Sequence, residues 1–113
     1  MKWYKNLYLG ENIAPKARQI VNKIKKKRLT PDVYVIALAS NSQNLLDIIP
    51  TWELLQLGYP TDNVRIIGLA QGKQEALELV TSIVDEVYQK TGNVKLQEYL
   101  KQMFFDEKWR GQA

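Results

Sequence analysis

Val64-Arg65-Ile66-Ile67-Gly68-Leu69-Ala70, followed by the turn Gln71-Gly72 and then by Lys73 to Tyr88, sets the architecture of this chain. The first seven residues are almost continuously apolar and rich in β-branched side chains. Pro60-Thr61-Asp62-Asn63 precedes them and Gln71-Gly72 follows, so they read as a strand covered on both faces. From Lys73 the period becomes helical. Ala76, Leu77, Val80, Ile83, Val84, Val87 and Tyr88 fall on one stripe, with Glu75, Glu78, Ser82, Asp85 and Gln89 opposite. Gly92 is placed to end this helix, at the position that tolerates a left-handed backbone.

Working outward, Val33-Tyr34-Val35-Ile36-Ala37-Leu38-Ala39 is as apolar as the run at Val64 and ends in the polar cluster Ser40-Asn41-Ser42-Gln43-Asn44. Two doubly covered strands are expected to be parallel neighbours. Between them a short helix is expected from Pro50 through Trp52, Leu54 and Leu55 to Gly58, making a right-handed crossover. Trp3 to Leu9 alternates weakly and ends at Gly10, which reads as a short, partly exposed strand parallel to the others. Asn12 is the expected cap of a first helix whose stripe is Ile13, Ala17, Ile20, Val21 and Ile24 and which ends near Lys26. Val94, Leu96, Tyr99, Leu100, Met103 and Phe104 suit a last helix, with Val94 and Leu96 open to an edge strand instead. Residues 106–113 read as a polar, disordered tail.

The expected fold is thus a small α/β domain over residues 1–105, in β-α-β-α-β-α order. A mainly parallel three-stranded sheet is packed by helices, a miniature of the Rossmann and flavodoxin-like arrangement. At 113 residues with 45% hydrophobic side chains the chain can build its own core. It has neither cysteine nor histidine, which removes disulfides, thiolate zinc sites, imidazole ligands and Cys- or His-based nucleophilic catalysis. The N-terminus lacks the apolar core of a signal peptide and no run approaches the ~18 residues that span a bilayer, so a cytoplasmic protein without membrane contact is expected.

Net charge is +4, but Lys16, Arg18, Lys23, Lys25, Lys26, Lys27 and Arg28 hold seven of the sixteen bases. Nine bases then face twelve acids, and the rest of the chain is net −3. The segment Lys23, Lys25, Lys26, Lys27 and Arg28 is a candidate nucleic-acid patch, set against the simpler reading of a solvated helix end favoured by the helix dipole. Nucleic acid ranks behind the other partners because no reading motif accompanies the charge.

Gly68 to Lys73 invites comparison with a phosphate-binding loop, yet only three residues separate the glycines and Gln74 stands where Ser or Thr would hold magnesium. What remains is a helix N-terminus beside Lys73 that can hold an anion, against the simpler reading that Gly72 serves the turn. In a parallel sheet the loops after the two central strands share one edge. Ser40, Asn41, Ser42, Gln71, Gly72 and Lys73 are therefore the candidate residues for a small anionic ligand, with Asp47 near them as a cap or a buried carboxylate. Neither a catalytic set nor a cofactor is implied, and catalysis ranks behind binding. Trp3, Trp52, Trp109, the six tyrosines and Met103-Phe104-Phe105 supply a third candidate, a surface for a protein partner or a second copy.

Leu38-Ala39-Ser40-Asn41, Asn44-Leu45-Leu46-Asp47-Ile48-Ile49-Pro50, Ile67-Gly68-Leu69-Ala70 with Gly72, Glu75-Ala76-Leu77-Glu78-Leu79-Val80 and Glu86-Val87-Tyr88 together resemble a group of small uncharacterised proteins of Firmicutes bacteria. The resemblance covers Tyr4 to Leu100. It implies an intracellular bacterial single domain and, since that group carries no assigned activity, lends no role to Asp47 or Lys73. The expected function is a non-catalytic domain that binds a small anionic ligand or a protein partner at the Ser40 and Gln71 loops. The alternative is a nucleic-acid accessory protein using Lys23 to Arg28.

Overall fold

The computed structural model describes residues 1–39, 46–92, 98–99 and the backbone of 105–106. Four full strands, β1 (Lys2–Leu9), β2 (Val33–Leu38), β3 (Leu46–Pro50) and β4 (Arg65–Gln71), and the two-residue β5 (Phe105–Asp106) form a mixed sheet in the order β3-β2-β4-β1-β5. The helices are α1 (Ala17–Lys25), entered through a 3₁₀ turn at Ala14–Lys16, the four-residue α2 (Thr51–Leu54) and the long α3 (Lys73–Thr91).

The sheet separates two cores. Ile20, Val21 and Ile24 of α1 and Leu54 of α2 pack on Val33, Val35, Ile66 and Leu69. Ala76, Ile83 and Val87 of α3 pack on Ile36, Ile67 and Ala70 from the other face. The alternation of β2 between these cores is the period-2 geometry of a strand. Each fully buried aliphatic side chain contributes about 1.5–3 kcal/mol. Along β4 the alternation slips. Ile36 pairs with Gly68 and Ala37 with Ile66, which leaves Ile67 as the extra residue of a bulge. A Cβ on Gly68 would lie 3.0 Å from the Tyr8 carbonyl oxygen and 3.3 Å from Leu79, so this glycine serves close packing under α3.

The two central strands are neighbours as expected, but they run antiparallel. Leu46–Pro50, expected to lead into a helix, is strand β3 and pairs antiparallel with β2 from Leu38↔Leu46 to Tyr34↔Pro50. The chain therefore reverses once before it crosses. The crossover through α2 joins β3 to β4, which flank β2 on either side. Three of the four full strands point the same way and β2 alone opposes them; the hydrogen-bonded parallel pair is β1 with β4. The apolar run of β2 reports its central place between two helical layers, which either orientation produces.

Helix α3 starts and stops as its period predicts, with Gly92 at φ 73° donating its N–H to the Tyr88 carbonyl at 2.8 Å. Its stripe is rotated from the expected one: Leu77 and Tyr88 are exposed, and Glu75 is buried. Trp3 and Tyr4 are both buried because they point to opposite faces of β1, Trp3 into the core under α1 and Tyr4 into the core under α3. Asn12 does not cap α1 through its side chain, since the helix is entered through the 3₁₀ turn without a side-chain cap. Glu98 and Tyr99 are helical. The expected tail of residues 106–113 is corrected at its first residue, since Asp106 belongs to β5 and pairs with Trp3; residues 107–113 and the remainder of the expected last helix lie outside the described residues.

Candidate functional site

The turn Gln71-Gly72-Lys73 is built around Glu75. Its Oε2 accepts the N–H of Gln71 at 2.6 Å and its Oε1 accepts the N–H of Asn12 at 2.8 Å, so one carboxylate ties the ends of the parallel pair β1 and β4 together. Gly10 leaves the space for it: a Cβ there would sit 2.3 Å from Glu75 Oε2. Gly72 has φ 81° and ψ 155°, a region that essentially only glycine adopts, and donates its N–H to the Asp32 carbonyl at 2.7 Å. Gln71 Nε2 donates to the same carbonyl at 3.1 Å. Lys73 is exposed.

Beside the turn, the N–H groups of Gln71 and Asn12 have a carboxylate acceptor from the chain itself, which sets the negative charge of Glu75 next to Lys73 and the start of α3. The expected shared edge, in contrast, is corrected by the strand directions. Gln71 pairs with Val33 at the start of β2, and the strand runs on to Leu38 at the far end of the sheet, about 16 Å away at 3.3 Å per residue. Ser40, Asn41 and Ser42 lie outside the described residues. Leu38, the last residue of β2, stands at the opposite end of the sheet from Gln71. Glu75 was missed because helical periodicity put it on the solvent face. The spacing Gly72-x-x-Glu75 was the available signal, being that of a helix cap and its third-position glutamate.

Asp47 is a strand residue, opposite Ala37 in β3 and half-buried. It lines an open cavity of about 600 Å³ at the end of β2, with Tyr59, Asp62, Asn63 and Arg65 around it and Ile49 on the floor. Burial raises the Tyr59 phenol above its ordinary pKa, and the charges of Glu53 and Asp47 raise it further.

The basic run closes α1. Lys23 and Lys25 are in its last turn and Lys26 is its C-cap. Lys27 stands at φ 57°, with its N–H bonded to the Ile24 carbonyl at 3.0 Å and the Arg28 N–H bonded to the Lys23 carbonyl at 2.9 Å. These two bonds are the Schellman closure, with lysine where glycine is the rule. Beyond Arg28, a groove of about 410 Å³ is lined by Leu29, Pro31, Val33, Tyr34, Pro50 and Trp52. Leu29 is 73% and Trp52 55% exposed. Beneath them the buried Thr30 and Thr51 hydroxyls meet at 2.6 Å, and Thr51 Oγ1 donates to the Thr30 carbonyl at 3.1 Å. Among the aromatic candidates, Trp3 is core and Trp52 is surface; Trp109, Met103 and Phe104 lie outside the described residues.

Among the described residues, no group of three or more acidic side chains is placed to hold a metal ion, and no helix is long and apolar enough to cross a membrane. Comparison with family models, with curated proteins and with solved structures gave no match.

Proposed function

We propose that the chain is a binding domain that takes a small polar ligand carrying a protonated amine in the cavity at the end of β2. The observation that supports this reading is the placement of Asp47 and Asp62 on the wall of a cavity of about 600 Å³ that Tyr59 also lines. Such concave sites, mostly apolar with a few polar groups, are where small ligands bind. Carboxylates accept from an ammonium group, and the face of a tyrosine attracts it. The cavity begins at Ala39, directly before the Ser40 loop, so it retains half of the sequence expectation while changing the sign of the ligand's charge.

The test is a heteronuclear NMR titration of labelled protein with a diamine, a panel of amino acids, inorganic phosphate and a nucleotide. Saturable shifts at Asp47, Tyr59, Asp62 and Asn63 with the amines support the reading. Asp47→Asn is expected to weaken that binding about tenfold, the size of one charge-assisted hydrogen bond. Shifts at Gln71 to Lys73 with phosphate, and none with amines, would overturn it and restore the anion site.

A further inference from the structure

We propose that the groove between Leu29 and Trp52, with the basic run that leads into it, is a docking surface for an acidic segment of a protein partner bearing an exposed hydrophobic side chain. This surface is independent of the cavity at Asp47. Three observations converge on it.

First, Leu29 and Trp52 are largely exposed and line the same groove, with Pro31 and Pro50 beside them. Isolated surface apolar residues need no explanation, but an aliphatic and an indole side chain facing one depression form a pocket for a third. The buried Thr30 and Thr51 pair fixes the floor, so the groove is preformed.

Second, the chain that leads into the groove is basic. Lys23, Lys26, Lys27 and Arg28 are exposed at the end of α1, and Arg28 immediately precedes Leu29. Among the described residues Asp32 is the one carboxylate that lines the groove, at the Pro31 end. A ligand that fits is apolar where it meets Leu29 and Trp52 and acidic where it meets the helix end.

Third, Lys27 occupies a left-handed position in which glycine is unstrained. A strained backbone held at the centre of a charged surface is an outlier from which function is inferred. The lysine costs stability and contributes charge.

Single-stranded nucleic acid uses successive stacking aromatics along a basic groove. Here one tryptophan faces an aliphatic wall, which favours a peptide side chain.

The experiment uses the full chain and a short synthetic peptide with Glu and Asp on both sides of a Leu-Phe pair, read by Trp fluorescence and calorimetry. Control peptides replace the apolar pair by Ser or the acids by Gln, and a single-stranded oligonucleotide of equal charge is titrated in parallel. Saturable binding that weakens with salt, and that falls about tenfold or more with Trp52→Ala and with either control peptide, supports the proposal. Lys27→Gly separates charge from fold, since it is expected to raise thermal stability while weakening the peptide. Peptide affinity unchanged by Trp52→Ala, or an oligonucleotide that binds more tightly than the peptide, would overturn the proposal.

Discussion

The clasp formed by Glu75 makes a quantitative statement about Gly10. Removing the carboxylate with Glu75→Ala leaves the N–H groups of Gln71 and Asn12 without their acceptor. A buried donor left unsatisfied costs about 1–3 kcal/mol. Asn12 is exposed and regains water, so most of the loss belongs to Gln71 and the total is about 2–3 kcal/mol. For a domain of this size that is roughly 10 °C in Tm. Gly10→Ala reaches the same clasp from the other side. Gly10 does not have a left-handed φ, so alanine carries no backbone penalty there, but its Cβ would lie 2.3 Å from Glu75 Oε2 and 2.4 Å from Cδ. The carboxylate has to leave, and the substitution is expected to cost about as much as Glu75→Ala. Once Glu75 is alanine the obstruction is gone, and adding Gly10→Ala should change stability by less than about 0.5 kcal/mol. The coupling is therefore about 2 kcal/mol, measured by urea denaturation of the four proteins at neutral pH. Equal costs of Gly10→Ala in the two backgrounds would refute the clasp, as would a Glu75→Ala protein of wild-type stability.

The remaining predictions concern single positions. Lys27→Gly should stabilise the chain by about 1 kcal/mol in thermal melts, since the residue at φ 57° closes α1 in a conformation that costs lysine and not glycine. Gly72→Ala should destabilise by about 2 kcal/mol from its φ of 81° alone. Asp32 Oδ2 would stand 3.4 Å from the new Cβ, an ordinary contact, so Asp32→Ala is not expected to rescue it. The Tyr8 hydroxyl donates to Glu86, and burial foremost, then this bond and the Glu86 charge, raise its pKa above the ordinary value of 10.0. The unfolded chain then loses this proton first as pH rises, so the contribution of Tyr8 is present below pH 10.0 and declines above it. Comparing the alkaline limb of stability against pH for wild type and Tyr8→Phe checks this: the variant should be less stable at neutral pH and fall less steeply above pH 10.0. Parallel curves would refute it.

Local chemistry was legible where the cause is local. Gly92 ends α3 because a glycine after a helical stripe can turn left-handed, and the α1 stripe Ile20, Val21 and Ile24 is buried as its spacing predicts. The misreadings share a physical origin. β2 looked parallel because a central strand between two helical layers is apolar throughout, whichever way it runs. Leu46 to Pro50 looked like the approach to a helix because a short apolar run carries too little periodicity to distinguish strand from helix. That one element reversed β2 relative to β4 and moved the Gln71 turn to the opposite end of the sheet from Leu38. Leu29 and Trp52, separated by more than twenty positions, had no pattern to join them.

The amino-acid order alone determined that the domain has an α/β core, that no cysteine or histidine chemistry is open to it, where α3 begins and ends, and that basic charge gathers at the end of α1. These follow from inventory and from periodicities within one element. Tertiary structure decided strand direction, the burial of Glu75 between two strand ends, the cavity beside Asp47 and the meeting of Leu29 with Trp52. Each depends on contacts between residues far apart in the chain, and side-chain periodicity records how deeply an element is covered, without recording which neighbour covers it or in which direction that neighbour runs.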